Sequence, residues 1–400
     1  MNNPRNRSHR GRALVALATL GLGGCSDPSP AGPVAQTVQP VVYGTDDRQD
    51  VYAHPDMNLR TLAQQSIVAL MRDTAIDVSD PMAVRYTGTT TLREAQDLCP
   101  GQRFENDPTH AHCSGTLIDN DIVLTAGHCF TAPGADAAMP NNCANTRFVF
   151  KYHHEAAGRL APITAADVFS CAEIITSVER MNPDGTRQDY AFVRLDRSAA
   201  PRFTPASVAR ANGPTMMGQS VSVIGFGSGI PAKIDSGGTV TDLRTMEGDY
   251  FETNFDTFQG NSGSGVFDTT TRSLIGLLVR GATDYVRADG GMCQVVNVCA
   301  STPGGANCNG ESVNRLRGPF DDFCTRLPMH RLCTGAAPTD AGTTPTDAAV
   351  AATDAGRSAD TGPASSGGGC ATSPAPRSGW SMGFALAALG LAARRRRARR

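Results

Sequence analysis

Between about residue 41 and residue 333, short apolar, β-branched segments recur between clusters of Gly, Pro, Asn and Asp. They are Ser66–Met71, Gly115–Ile118, Ile122–Thr125, Arg147–Tyr152, Tyr190–Leu195, Ser220–Phe226, Gly265–Phe267 and Leu274–Arg280. Runs this short, bounded by turn formers, predict strands of an all-β sandwich or barrel rather than alternating strand–helix units. Residues 61–71 are the ambiguous stretch, because their composition also suits a helix. A body of about 290 residues is long enough for two six-stranded barrels with an interface between them.

Outside this body the pattern changes. Residues 1–12 are basic, residues 13–24 are small and apolar, and Cys25 follows, as in an export signal. Leu22-Gly23-Gly24-Cys25 resembles a bacterial lipobox, which implies acylation of Cys25 and attachment to a membrane. Residues 25–55 are expected to be a spacer or propeptide, and residues 56–333 the folded domain. Residues 334–379 are Thr, Asp, Ala, Pro, Gly and Ser, with Thr-Asp-Ala recurring at 339, 346 and 353. Such a stretch buries too little apolar surface to offset its ordering entropy and is expected to be a linker. Residues 380–400 join an apolar run to an Arg block, which by the positive-inside rule faces the cytoplasm. With the preceding Gly369-Cys370, the order resembles MYXO-CTERM sorting signals and implies display at the outer membrane or cell surface, or release from it.

Net charge is −2 over the whole chain, but the ends hide an acidic body. Without the Arg residues of the first 24 and last seven positions, 26 basic groups face 38 acidic ones. That balance argues against a nucleic-acid binder. The chain has 12 cysteines, and setting aside Cys25 and Cys370 leaves ten, an even number that fits disulfides in an extracytoplasmic compartment. Paired C-x-x-C, H-E-x-x-H, G-x-G-x-x-G and Walker patterns are missing, so neither a metal nor a nucleotide cofactor is expected. His110, His112, His153 and His154 are read as solvated surface rather than as ligands.

Three segments carry chemistry. In Leu124-Thr125-Ala126-Gly127-His128-Cys129, a His follows a strand through a tight turn that presents its ring at a barrel edge. In Asp189–Leu195, an acid immediately precedes a buried strand. In Gln259-Gly260-Asn261-Ser262-Gly263-Ser264-Gly265, glycines let the chain turn sharply and expose the Ser262 hydroxyl. Acyl transfer needs these three types together. Serine is a weak nucleophile unless an imidazole takes its proton, and a carboxylate on the other ring nitrogen fixes the tautomer. The N–H groups of Gly260 and Ser262 are candidate oxyanion donors.

These motifs, in the order His128, Asp189, Ser262, resemble the trypsin-like (chymotrypsin-fold) serine endopeptidases. The Gly-Asn-Ser-Gly-Ser form at 260–264, and Val42–Arg48, resemble the bacterial branch with the glutamyl endopeptidases. The resemblance implies two six-stranded antiparallel barrels with the site between them, protein or peptide substrates, and a Cys113–Cys129 disulfide beside the His. It also implies a substrate pocket with Asp256, six residues before Ser262, at its base, and with Gly281 and Gly290 or Gly291 along its walls. An acid at that base selects Arg or Lys. Asn261 departs from the animal enzymes, where an Asp there receives a new N-terminal ammonium. Leu278 falls where the glutamate-specific branch carries a His, and Arg280 offers an alternative reader of an acidic side chain. The expected protein is thus an exported, monomeric serine endopeptidase. The competing expectation is a protease-fold binding or adhesion module without catalysis.

Overall fold

The computed structural model describes residues 42–130, 142–181, 187–209, 215–244, 249–304 and 308–335. Cys25, the export signal, nearly all of the linker and the C-terminal apolar segment lie outside the described residues. Among the described residues, no helix is long and apolar enough to cross a membrane.

Twelve strands build two barrels. The first contains β1 (Ile67–Arg72), β2 (Ala111–Asp119), β3 (Ile122–Thr125), β4 (Thr146–Phe150), β5 (Val168–Met181) and β6 (Arg187–Leu195). They close antiparallel in the cyclic order β1-β2-β3-β6-β5-β4. The second contains β7 (Ser220–Gly225), β8 (Lys233–Asp242), β9 (Tyr250–Thr253), β10 (Gly265–Asp268), β11 (Leu274–Arg280) and β12 (Glu311–Arg315). Its sheet runs β7-β10-β11-β12-β9-β8, and a β7–β8 pairing closes the ring. Taken strand for strand, the two rings have the same connectivity. The all-β, two-barrel expectation is therefore met.

Each sequence-read strand falls on one of these, with ends shifted by a few residues. The ambiguous stretch divides: Met57–Gln65 is helix α1, capped by the Asp56 carboxylate, and β1 follows at Ile67. Strands β1 and β3, apolar except for their last residues Arg72 and Thr125, are buried along almost their whole length, because closure gives each a filled interior and a covered outer face. Phe148, Phe150, Phe169, Phe192 and Phe203 are buried in the core cluster built around the first barrel. Helix α2 (Arg317–Arg326) packs Phe320 and Phe323 onto Phe192. Val221, Val223, Phe251, Phe255, Val266 and Val313 form the core of the second.

All ten body cysteines are paired, as 99–293, 113–129, 143–171, 299–308 and 324–333. The Cys113–Cys129 bridge is the pairing the resemblance implied. Position 56 is not a structural boundary. Val42–Tyr43 pairs with Val298–Cys299, and Gln49–Asp50 adds to β8, so residues 42–55 belong to the body rather than to a spacer.

Candidate functional site

Strand register brings His128 to Asp189. Thr125, the last residue of β3, pairs with Ala191 of β6, so the chain leaving β3 runs back along β6 toward Asp189. It turns there in a single 3₁₀ turn, Gly127–Cys129. A Cβ on Gly127 would lie 2.1 Å from the Val178 carbonyl oxygen, so only glycine lets the turn pack this closely on β5. The Asp189 carboxylate, 4% exposed, accepts from the His128 backbone N–H at 3.1 Å and meets the ring Nδ1 at 2.7 Å. The His side chain stays 31% exposed, leaving its other edge open. Burial opposes protonation of this ring, but the hydrogen bond and charge of Asp189, with the charge of Glu179, outweigh it. His128 therefore titrates above the ordinary histidine value.

Ser262 reaches the same place from the second barrel. Gly260 and Gly263 have φ of +98° and +86°, backbone that side chains other than glycine rarely adopt. Ser114 of β2 holds the loop between them. Its N–H donates to the Ser262 carbonyl at 2.8 Å and its hydroxyl to the Gly260 carbonyl at 2.7 Å. The Ser262 carbonyl also lies 3.8 Å from Cys129 Sγ. Cys113 and Ser114 thus stand between the two segments: the disulfide ties one to the His128 turn, and hydrogen bonds tie the other to the Ser262 loop. Among the described residues, none accepts from the N–H of Gly260 or of Ser262. Asn261 turns inward, its amide oxygen accepting from the Ser264 hydroxyl at 3.3 Å.

Ser262 lines a cavity of about 440 Å³ with Thr257, Gly281, Ala282, Asp284 and Glu311. Gly281 is among the residues that line this space, whereas Gly290 and Gly291 are not. Asp256 also does not line it. Its two carboxylate oxygens face the N-terminal segment and accept from the N–H of Tyr43 at 2.8 Å and of Asp47 at 2.7 Å. Burial and the charge of Asp235 push it up to about 8, against the pull of those two N–H groups. The expectation of Asp256 as the pocket base is corrected accordingly: backbone donors of residues 43–47 claim the carboxylate first.

Sequence reading missed Ser114, Asp284 and Glu311. Ser114 was legible in principle, since it follows Cys113 in the strand leading back to His128. Glu311 had no local signal, as nothing around it reads as a strand. The histidine expectation also needs correction: His153 and His154 are buried, not solvated. His154 Nδ1 lies 3.2 Å from Asp50, and the Lys233 ammonium sits against both Asp50 and Asp107, so that carboxylate pair already has its cation.

Residues 113–277 match the family model described as the trypsin-like peptidase domain. The matched span includes His128, Asp189 and Ser262, and is less than half of the chain. No curated protein matches. Among solved structures, a Glu endopeptidase solved with MPD is 17% identical, with a TM-score of 0.41, over 72% of this chain and 100% of that one. The Vibrio cholerae VesB protease is 12% identical at 0.41, over 70% of this chain and 67% of that one. The thermostable serine protease AL20 from an extremophilic microorganism is 16% identical at 0.40, over 68% and 100%. At these scores the likenesses lend the site no further argument.

Proposed function

We propose that this chain is an exported serine endopeptidase that hydrolyses peptide bonds through an acyl-enzyme. The observation that carries the reading is the convergence at Cys113–Ser114. A carboxylate-bound imidazole arrives from one barrel and a glycine-flanked serine from the other, beside two backbone N–H groups that have no acceptor among the described residues. In this reading Asp189 keeps the proton on Nδ1, so Nε2 is free to take the Ser262 proton as Oγ attacks the carbonyl. The N–H groups of Gly260 and Ser262 receive the oxyanion, and removing one such donor typically costs about 10²–10³ in rate. His128 then gives its proton to the leaving amine, and a water repeats the sequence to release the acid.

Five disulfides support an extracytoplasmic location. Acylation at Cys25, surface display through the C-terminal signal and kinship with the bacterial glutamyl branch belong to the same proposal. So does action as a monomer on protein or peptide substrates. Palmitate labelling of wild type but not of Cys25→Ala is the outcome expected for the lipid.

A fluorophosphonate probe tests the chemistry. Wild-type protein is expected to label and Ser262→Ala not to. Wild type that binds peptides but never labels would sink the enzyme in favour of the adhesion module.

A further inference from the structure

We propose that the cavity beside Ser262 takes a cationic side chain, that of lysine or arginine, and that Glu311 and Asp284, not Asp256, read it. The inference rests on the peptidase reading and names the substrate class for it.

Glu311 is the first residue of β12 and is 2% exposed, yet it lines the cavity. Its carboxylate spans the space between two walls. The Thr257 hydroxyl donates to it from one side, and the Ala282 N–H donates at 3.0 Å from the other. A Cβ on Gly281 would lie 2.2 Å from Glu311 Oε2, so glycine at 281 is what keeps the wall from covering this oxygen. Asp284 lines the same cavity and accepts from the Gln259 N–H at 2.7 Å, bracing the segment that leads into Ser262.

Both carboxylates are bound here by neutral donors. A carboxylate has about four lone-pair sites, so each keeps acceptor capacity facing the cavity. Glu311 stands near the like charges of Asp284 and Glu252, whereas the charge of Arg48 partly offsets that of Asp284. A buried acid short of countercharge is costly, and a cation entering from outside is the partner that reverses the cost. The titration behaviour agrees: burial raises Glu311 well above the usual carboxylate range and pushes Asp284 up to about 6. The cavity volume of about 440 Å³ falls within the usual range of ligand pockets and leaves room for one long side chain.

Asp256 is placed differently: it does not line this cavity, and its carboxylate is turned to the backbone of residues 43–47. Arg280 also lines the cavity and would favour an acidic side chain. Its guanidinium, however, lies over the Tyr250 ring at 5.5 Å. The acid at the cavity base is the more deeply placed group.

The test uses full-length protein and matched fluorogenic peptides that differ only at the cleaved residue: Arg, Lys, Leu or Glu. The expected result is a preference of wild type for Arg and Lys over Leu. Glu311→Gln is expected to cut the Arg-to-Leu ratio of kcat/KM by on the order of 10², as for loss of one partner of a buried charge pair. Asp284→Asn is expected to cut it by about tenfold, and Asp256→Asn to leave it unchanged. Because Glu311→Gln also disturbs two packed donors, a second measurement uses wild type alone. The arylamidinium p-aminobenzamidine is expected to slow fluorophosphonate labelling of Ser262, and a neutral isostere not to.

Three outcomes overturn the assignment. One is labelling without any Arg or Lys preference, which leaves the peptidase reading standing. Another is a Glu preference lost in Arg280→Ala. The third is an Arg preference that survives both pocket variants and disappears in Asp256→Asn. Wild type that neither labels nor cleaves overturns the peptidase reading itself, and this inference with it.

Discussion

Asp189→Asn isolates the role given to the carboxylate. Asp189 uses its two oxygens differently: one accepts from the fixed N–H of His128 at 3.1 Å, the other meets Nδ1 at 2.7 Å. Asparagine keeps the shape but offers one oxygen and one NH₂. The backbone N–H cannot become an acceptor, whereas the imidazole can change tautomer. The cheaper arrangement leaves the amide oxygen on the backbone and turns the NH₂ toward Nδ1. That forces the ring proton onto Nε2, the nitrogen that must accept from Ser262. The expected loss in kcat/KM is about 10⁴, equivalent to roughly 5.5 kcal/mol of transition-state stabilisation. Because both hydrogen bonds survive in some form, stability should change by no more than about 1 kcal/mol, or about 2–4 °C in melting temperature. The assay is peptide hydrolysis from pH 5 to 10, with fluorophosphonate labelling and thermal unfolding alongside. The wild-type rate depends on neutral His128, so it should rise with pH through a midpoint above the ordinary histidine value, in line with the raised pKa. Residual activity of the variant should rise at lower pH, since the hydrogen bond and charge of Asp189 are gone and burial and Arg280 are opposed by Glu179 alone. A variant within tenfold of wild type would refute the tautomer argument. So would a loss matched by collapse of the fold.

Two further changes test the scaffold. Gly263→Ala places a Cβ 2.1 Å from the Ser114 carbonyl oxygen at a φ of +86°, and backbone cannot yield as a side-chain tip can. Labelling of Ser262 should fall at least 10²-fold, with a stability loss of about 2–4 kcal/mol; near-wild-type labelling would contradict the described loop. Removing the Cys113–Cys129 bridge with two alanines frees a loop with a sequence separation of 16, worth about 3 kcal/mol in the chain-entropy model. An unchanged guanidinium midpoint would show that the bridge contributes nothing beyond local packing.

The strands legible from sequence were those whose apolar residues stand together, such as Ile122–Thr125 and Leu274–Arg280. Of those that escaped, β8 and β12 are polar strands whose polarity is satisfied elsewhere in the fold. Strand β8 reads as Lys-Ile-Asp-Ser-Gly-Gly, yet Lys233 is buried against Asp50 and Asp107. Strand β12 reads as Glu-Ser-Val-Asn-Arg, yet Glu311 and Asn314 are buried. Hydrophobic periodicity cannot detect a buried charge whose partner is 50 or more residues away. The same limit explains His154, buried beside Asp50, which lies 104 residues away in the sequence.

Asp256 shows why motif spacing located the candidate His, Asp and Ser residues but misjudged the pocket acid. Spacing from Ser262 fixes where the backbone of residue 256 lies; it does not fix which way the carboxylate turns. That choice follows the donors available. Residues 42–50 are built into the body, and their chain passes behind the cavity wall with the N–H groups of Tyr43 and Asp47 directed at Asp256. Arg48 then lies over the Phe258 ring at 4.1 Å, on the same wall. Position 261, an Asn, needs no incoming ammonium and closes on Ser264. The N-terminal segment is thus held by an acid at 256 where an ion pair at 261 is unavailable, which leaves the acids facing Ser262 to come from β12 and the loop after β11. No pattern local to the Ser262 motif encodes that exchange, because it is settled by a segment more than 200 residues upstream.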